Sequence, residues 1–127
     1  PRNVDVAAFI GSPPMNLMPA TLEGRQLHVC GGTVDLPRDV ARAAGPVTMG
    51  IRPSNIRLDP DGLPARLYLL ENLGESMLLN LHIGDELLKV KIGKVETFNE
   101  NQEIRISFDP AFIQLFDPET GLRLDWA

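Results

Sequence analysis

The chain has 127 residues, of which 43% are hydrophobic and 23% charged, the balance of one ordinary globular domain. Its formal net charge is −5 and its basic residues are scattered, which argues against a protein that binds nucleic acid by neutralising phosphates. Cys30 is the only cysteine, so no disulfide can form within the chain, and no apolar run approaches the ~18 residues of a membrane-spanning helix.

The first predicted element is a short helix over residues 3–10. Gly11 can end this helix, and Pro13 prevents its continuation. Because the sequence begins with Pro1 rather than Met, we expect residues 1–10 to be the tail of a linking helix in a longer protein. The apolar side chains that share one face of this helix are Val6, Phe9 and Ile10.

After the helix, apolar and polar residues alternate with the period of 2 that is typical of half-buried antiparallel strands. Tight hairpin turns are predicted at Glu23-Gly24 and Gly84-Asp85, a β-bulge or tight bend at Gly31-Gly32, and turn-rich connections at residues 59–62 and 99–101. The alternating apolar positions are Leu27 and Val29, then Leu79, Leu81 and Ile83, then Leu88, Val90 and Ile92, and finally Ile104, Ile106 and Phe108.

Glycine and proline content determines the predicted architecture. Eleven glycines and eleven prolines among short strands are typical of small β-barrels rather than of one long flat sheet. The sequence therefore predicts a mainly all-β protein of small barrels with a short N-terminal helix. Residues 11–127 form the barrel domain, as one barrel or as two sub-barrels with a seam within residues 46–61. Residues 39–44 could add one helical turn.

Patterns for catalysis, nucleotide binding or metal binding are absent from the sequence. No Gly-x4-Gly-Lys-Ser/Thr loop is present to hold nucleotide phosphates. His28 and Cys30 share strand parity, but too few Cys and His residues exist to complete a zinc site, and Cys30 as a nucleophile would need an electropositive setting. We therefore expect no catalytic residue, no cofactor and no metal in this chain.

The remaining charged candidates are interpreted structurally. Glu71 and Glu75 form a solvated corner rather than an acid–base pair. Asp109 and Asp117 each stand in a turn, where a carboxylate accepts hydrogen bonds from nearby N–H groups. Arg52 is predicted to bridge a carboxylate such as Glu71 or Asp109 rather than to bind a ligand. Trp126, near the end of the chain, either docks on a partner or covers the chain's own core.

Four short phrases occur in order along the chain, and together they resemble a known regulatory domain. The resembled family is the C-terminal TOBE/OB-type domain of the ATP-binding subunit of bacterial ABC sugar importers, the maltose, glycerol-phosphate and multiple-sugar group. Ser54-Asn55 replaces the Glu-His that commonly follows Arg-Pro in that family. The phrases consist of Ser12, Pro13, Met15 and Asn16; Gly50, Arg52 and Pro53; Glu71 and Gly74; and Asp109, Pro110, Phe116, Asp117, Thr120, Gly121, Arg123 and Leu124.

This resemblance implies a regulatory domain of OB-type barrels that holds two ATPase subunits together. It implies that the phrase positions are structural or interface residues, and that ATP and Mg²⁺ belong to the parent protein. The implied partners are a second copy, the membrane subunits of the transporter, and a regulatory protein or small effector, with no nucleic acid. The implied location is cytoplasmic, peripheral at the inner face of the bacterial cell membrane.

Two other interpretations are open. A module that binds small oxyanions, as related barrels do in molybdate and sulfate systems, would need basic residues that converge in a cleft, and the sequence shows no such cluster. An OB-type nucleic-acid binder would need exposed aromatic residues along a basic groove. The 6% aromatic content and the negative charge disfavour it. An independent enzyme is the least favoured class.

Overall fold

The computed structural model describes residues 14–94 and 97–127. The helix predicted at residues 3–10 lies outside the described residues, as do the phrase positions Ser12 and Pro13. Two 3-10 helices, Pro53–Asn55 and Pro110–Phe112, interrupt the strands. The described strands are β1 (Asn16–Glu23), β2 (Gln26–Val29), β3 (Gly32–Asp35), β4 (Gly45–Ile51), β5 (Ile56–Asn72), β6 (Ser76–Ile83), β7 (Glu86–Gly93), β8 (Glu103–Phe108) and β9 (Gln114–Phe116).

The strands form two antiparallel sheets that share a hydrophobic core. The first sheet has the strand order β3-β2-β1-β4-β9 and the second has the order β7-β6-β5-β8. The chain crosses from the first sheet to the second at Arg52 and the 3-10 helix Pro53–Asn55, and it returns to the first sheet at β9. Met49 and Ile51 of the first sheet belong to the same buried cluster as Leu79 and Ile106 of the second. The predicted all-β class is confirmed.

Burial follows the predicted alternation in β8 but only in part in β6, where Asn80, which was predicted on the wetter face, is buried as well. In β6, Leu79 and Leu81 are fully buried while His82 is exposed, and in β8 the buried Ile104 and Ile106 flank an exposed arginine. Because alternate residues of a strand point to opposite faces, one set of side chains of β8 enters the core and the other faces outward. In β6 the opposite set is partly covered too, and the Asn80 side chain there bonds with Glu71 and Lys89. Within the described ranges, no helix has the length and apolar character needed to span a bilayer.

The tight turns lie at or next to their predicted positions. The Gly84-Asp85 turn joins β6 to β7 as predicted. The β1–β2 turn is Gly24-Arg25, one residue later than predicted. The β2–β3 turn consists of Cys30 and Gly31, with φ of +54° and +79°. Of the β-bulge or tight bend predicted at Gly31-Gly32, the structure thus has a tight bend, one residue earlier. Two positive φ values in a two-residue hairpin match the turn that best follows the twist of the strands.

The connection predicted at residues 59–62 is instead an irregular part of β5. Leu58 and Leu63 both pair with Ile106 of β8, so residues 59–62 leave the ladder while the strand continues. A Cβ at Gly62 would collide with the carbonyl oxygen of Ile106, so glycine is needed where the backbones approach. The turn-forming residues produce a bulge rather than a connection here, because the residues before and after them both pair with β8.

The helical turn predicted at residues 39–44 is not formed. Val40 makes a β-bridge with Trp126, and the Ala41 N–H donates to the Asp125 carbonyl oxygen at 3.0 Å. Backbone groups of residues 40 and 41 therefore hydrogen-bond to the carboxyl-terminal segment instead of to each other's neighbours within a helical turn. Trp126 packs against the chain's own core, as one of its two predicted roles requires.

Candidate functional site

Three of the four phrases meet where β1, β4 and β9 lie side by side. β4 pairs with β1 on one edge and with β9 on the other. A Cβ on Gly50 would lie 2.6 Å from the Met15 sulfur and 2.9 Å from the Phe116 ring, closer than side chains normally approach. Met15 and Phe116 are both buried and pack together. Close packing therefore requires glycine at position 50, and we call Met15, Asn16, Gly50 and Phe116 the sheet junction.

Asn16 joins the two sheets through its side chain. Its Nδ2 donates to the carbonyl oxygens of Lys89 at 2.9 Å and Ile51 at 3.2 Å, and its Oδ1 accepts from the Lys89 N–H at 2.8 Å. Lys89 lies in β7, an edge strand of the second sheet. The amide thus pairs with this edge as the backbone of another strand would, which satisfies groups that an edge leaves open.

The side chain of Lys89 extends this link to Glu71. Lys89 Nζ donates to Asn80 Oδ1 at 2.6 Å and contacts Glu71 Oε1 at 3.4 Å, while Asn80 Nδ2 donates to the same Glu71 oxygen at 2.8 Å. The hydrogen bond from the Asn80 amide, together with the hydrogen bond and the charge of the Lys89 ammonium, holds the pKa of the Glu71 carboxyl below its usual range. The structure thus gives Glu71 two partners that the sequence analysis did not identify.

The Glu-x-x-Gly phrase ends in a tight corner between β5 and β6. Gly74 has φ of +95°, a conformation that favours glycine, and its N–H donates to Asn72 Oδ1 at 2.9 Å. The corner is closed by a hydrogen bond from the Leu73 N–H to the Ser76 carbonyl oxygen at 2.9 Å. Gly74 therefore shapes the turn at the end of the second sheet, while Glu71 lies just before it and contacts Asn80 and Lys89.

Asp117 organises the loop that follows β9. Its Oδ1 accepts from the N–H groups of Glu119 and Thr120, both at 2.8 Å, and its Oδ2 forms an ion pair with Arg42 at 2.6 Å. The Thr120 N–H, then Arg42 and the Glu119 N–H, lower the pKa of the Asp117 carboxyl from 3.8 to about 2. Gly121, with φ of +74°, completes the loop.

Asp109 links the two 3-10 helices. Its carboxylate accepts from the Ala111 N–H at 3.1 Å and so caps the helix that begins at Pro110. Its own N–H donates to the Asn55 carbonyl oxygen at 3.1 Å, and Asn55 is the last residue of the other 3-10 helix, which begins at the buried Pro53. The two helices are thereby held side by side.

A cleft of about 520 Å³ opens beside these two helices, and we call it the arginine cleft. It brings together Arg52 of the second phrase and Arg123 of the last, which are far apart in the sequence. The β-bridge between Arg123 and Phe116 fixes one wall. The lining residues are Val40, Arg52, Asn55, Ala111, Phe112, Ile113, Gln114, Leu115, Arg123, Leu124, Asp125 and Trp126. Arg52 and Arg123 thus line one cleft, a juxtaposition that no sequence pattern showed.

The outer face of the second sheet carries an exposed apolar stripe. Leu87 of β7 pairs with His82 of β6, and Leu69 of β5 pairs with Asn80 of β6. Because Asn80 and His82 are two residues apart on β6, all four side chains point to the same face of the sheet. Tyr68 stands at a register shift in β5, and its ring lies 4.5 Å from the His82 ring. Leu87 is 59% exposed and Leu69 is 49% exposed. We call Tyr68, Leu69, His82 and Leu87 the outer-face stripe.

The histidine and cysteine candidates are not brought together as a reactive centre. Burial, with a smaller contribution from the Glu86 carboxylate, raises the pKa of the Cys30 thiol to about 11, so it is protonated at neutral pH and a poor nucleophile. His28 is exposed, and its ring contacts the Glu23 carboxylate at 3.5 Å. Among residues 14–94 and 97–127, no three His, Cys, Asp or Glu side chains are placed to hold a metal ion.

One missed contact had a signal in the sequence. Asn80 and Lys89 both occupy polar positions of predicted strands, and a two-residue turn at Gly84-Asp85 sets the register that pairs them. Arg42 as the partner of Asp117 had no such signal, because the ion pair joins segments distant in the chain.

Comparison with known proteins agrees with this all-β fold. Residues 11–56 match the family model of the MalK OB fold domain. The chain is 35% identical, over 98% of its length, to the sn-glycerol-3-phosphate import ATP-binding protein UgpC of Jannaschia sp. strain CCS1. It is 34% identical to the uncharacterized ABC transporter ATP-binding protein y4oS of Sinorhizobium fredii, and 32% identical to UgpC of Yersinia enterocolitica, each over 98% of its length.

The family model indicates the type of domain, and the relatives indicate the type of protein in which it occurs. Residues 11–56 are similar to the MalK OB fold domain, and the chain as a whole is a homologue of ATP-binding proteins of ABC importers of the UgpC type. It spans 36% of the Jannaschia protein, 35% of the Sinorhizobium protein and 38% of the Yersinia protein, so it corresponds to about a third of such a protein.

Proposed function

We propose that this chain is a non-catalytic regulatory and dimerisation domain of the ATP-binding subunit of an ABC transporter that imports sugars or related solutes. The observation that carries the proposal is similarity to import ATP-binding proteins along 98% of the chain, together with the MalK OB fold match. In this proposal ATP and Mg²⁺ bind elsewhere in the parent protein. The parent works at the cytoplasmic face of the bacterial membrane, with the transporter's membrane subunits.

The proposed role is to keep two ATPase subunits together between catalytic events. A contact that persists while the ATPase domains separate keeps their effective concentration high, so each closure remains an intramolecular step. A regulatory protein or small effector that binds more tightly to one state of the pair would shift the balance between the open and closed states. The rigid sheet junction, in which Asn16 ties the two sheets together, supports such a tethering role.

The outer-face stripe is the surface that we assign to the contact with a second copy. Tyr68, Leu69 and Leu87 expose large apolar side chains on one face of a rigid sheet, where a partner can bury them. Glu71 and Lys89 lie on the same face and pair with each other, so the polar border of this surface is internally neutralised. A self-complementary contact is the arrangement that a two-fold dimer needs.

Deletion of residues 11–127 from the parent protein tests the role. We expect the truncated parent to bind ATP with unchanged affinity, to sediment as a monomer without nucleotide, and to lose effector-dependent control of ATP hydrolysis in reconstituted transporters. Unchanged ATP affinity is the control that the ATPase region remains folded. A truncated parent that stays dimeric without nucleotide and hydrolyses ATP with normal control would overturn the proposal.

A module that binds a small anion is a second candidate function, because Arg52 and Arg123 line one cleft.

A further inference from the structure

The arginine cleft has the size and the walls of a small-molecule site. Its volume of about 520 Å³ lies within the range of roughly 300 to 1,000 Å³ that is usual for such sites. Its position is fixed by the two linked 3-10 helices, by β9 and by the carboxyl-terminal segment that pairs with Val40. The walls therefore come from several hydrogen-bonded segments and do not depend on one loop.

The charged groups of the cleft favour an anion. The walls carry the guanidinium-bearing residues Arg52 and Arg123 against one carboxylate, that of Asp125, although the whole chain is acidic. Among the residues that the structure describes, Arg25, Arg42 and Arg105 form ion pairs with carboxylates, whereas Arg123 forms none. Guanidinium groups bind phosphate and carboxylate in a two-point geometry, so a pair of them suits a phosphate group.

The uncharged groups of the cleft favour a hydroxylated organic ligand over a bare ion. Gln114 lines the cleft, and its Oε1 has no hydrogen-bond partner in the described part of the chain; this oxygen is enclosed by the protein, so the side chain must turn toward the cleft before a ligand hydroxyl can reach it. A buried acceptor left unpaired costs free energy, which a ligand hydroxyl can recover. Phe112 and Trp126 add aromatic surface, and the buried Ile113 and Leu115 add an apolar wall. A free phosphate ion would leave the aromatic and apolar walls unused.

We propose that the arginine cleft binds a small phosphorylated sugar or polyol, with the phosphate at Arg123 and Arg52 and a hydroxyl at Gln114. This site goes beyond the dimerisation role, because binding in the cleft does not require the outer-face stripe. Dimerisation could therefore fail its own test while ligand binding succeeds, and the reverse also holds.

The only tryptophan of the chain reports on this site, since Trp126 lines the cleft. Fluorescence of the 127-residue chain is titrated with glucose 6-phosphate, glycerol phosphate, inorganic phosphate and glucose, each to millimolar concentration. We expect a saturable change with at least one of the two phosphorylated probes, and binding at least about tenfold weaker for inorganic phosphate and for glucose, because each lacks one half of the contacts.

Three variants assign the contacts. Arg123→Gln should weaken the phosphorylated ligand at least about tenfold, because a charge-assisted hydrogen bond is lost. Arg57→Gln is the matched control, since it removes the same charge from an exposed arginine on β5, outside the cleft. Gln114→Leu should reduce the preference for the phosphorylated polyol over inorganic phosphate, with the remainder due to the aromatic and apolar walls, while leaving the chain folded, as monitored by its thermal unfolding.

Several results would overturn the proposal. They are the absence of any saturable change with either phosphorylated probe, equal binding of glucose and glucose 6-phosphate, and equal weakening by Arg57→Gln and Arg123→Gln. Equal affinity for inorganic phosphate and both phosphorylated probes would remove the sugar or polyol from the assignment. If Arg123→Gln fails to fold, the titrations with the four probes and the Gln114→Leu variant still decide the question.

Discussion

The Asn16 side chain shows why one phrase position accepts asparagine and not a similar residue. The buried amide must donate to two carbonyl oxygens and accept from one N–H at the same time. Aspartate would offer no donor when ionised, and leucine would offer neither a donor nor an acceptor. Because these bonds join β1 to the β7 edge, the chemistry of one residue determines how two sheets are held together.

Replacing Asn16 with alanine should lower the free energy of unfolding by about 1–3 kcal/mol, because buried partners on Ile51 and Lys89 lose their hydrogen bonds. Urea unfolding of the 127-residue chain measures this change. Asn99→Ala is the matched control, since Asn99 is exposed in a turn, and it should shift the value by less than about 0.5 kcal/mol. Equal shifts for the two variants would show that the Asn16 bonds do not stabilise the fold.

Sequence alone predicts such residue contacts only when the partners are close in the chain. The Asn80–Lys89 pair follows from a two-residue turn and strict alternation, both of which are local properties. The contact of Asn16 with Lys89 and the convergence of Arg52 and Arg123 depend on how two sheets pack. The arginine cleft was therefore invisible in a sequence whose basic residues look scattered.

At the scale of elements, strands with clear alternation were predictable and their ends were less so. In β6, β7 and β8, the alternation of apolar and polar residues indicates which side chains face the core, because a one-residue shift in strand pairing would expose the apolar set to solvent. Turn residues within residues 59–62 indicate a local bend correctly, but pairing of both flanks with β8 keeps the segment within β5. Residues 39–44 have too short a helical pattern to compete with pairing to the carboxyl-terminal segment.

The packing of β1, β4 and β9 makes a prediction about glycine. Gly50→Ala should lower the free energy of unfolding by about 1–3 kcal/mol, because the new methyl group overlaps Met15 and Phe116 in a closed core. Gly93→Ala is the matched control at the end of β7, where a Cβ would meet nothing within 4 Å. This control should be neutral or stabilising by up to about 1 kcal/mol. Thermal and urea unfolding measure the stability of both variants. If Gly50→Ala is as stable as Gly93→Ala, the packing argument is wrong.

At the scale of the whole molecule, the proposed contact and the proposed ligand site lie on different elements. The outer-face stripe belongs to β5, β6 and β7 of the second sheet. The arginine cleft belongs to the two 3-10 helices, β9 and the carboxyl-terminal segment. The shared core and the Asn16 link connect the two sheets, so ligand binding and dimerisation can be measured separately and then tested for coupling.

Introducing a charge into the outer-face stripe tests the dimer contact directly. Leu87→Glu in the parent protein should weaken dimerisation without nucleotide by about tenfold or more, because burying a leucine contributes about 1.5–3 kcal/mol and a buried carboxylate adds a desolvation cost. Sedimentation measures the change. Leu87 is already 59% exposed, so its replacement should leave the thermal unfolding of the chain nearly unchanged.

Leu122→Glu is the matched control for this test, since Leu122 is 52% exposed in the loop after β9, which is a strand of the first sheet. It introduces the same charge with the same loss of apolar surface, and it should leave the dimer intact. If Leu87→Glu and Leu122→Glu dimerise equally well, the outer-face stripe is not the contact, even if deletion of residues 11–127 abolishes the dimer. If Leu122→Glu alone weakens the dimer, the contact lies on the side of the first sheet. Only selective weakening by Leu87→Glu supports a dimer held through the second sheet, because only then does the loss depend on where the charge stands.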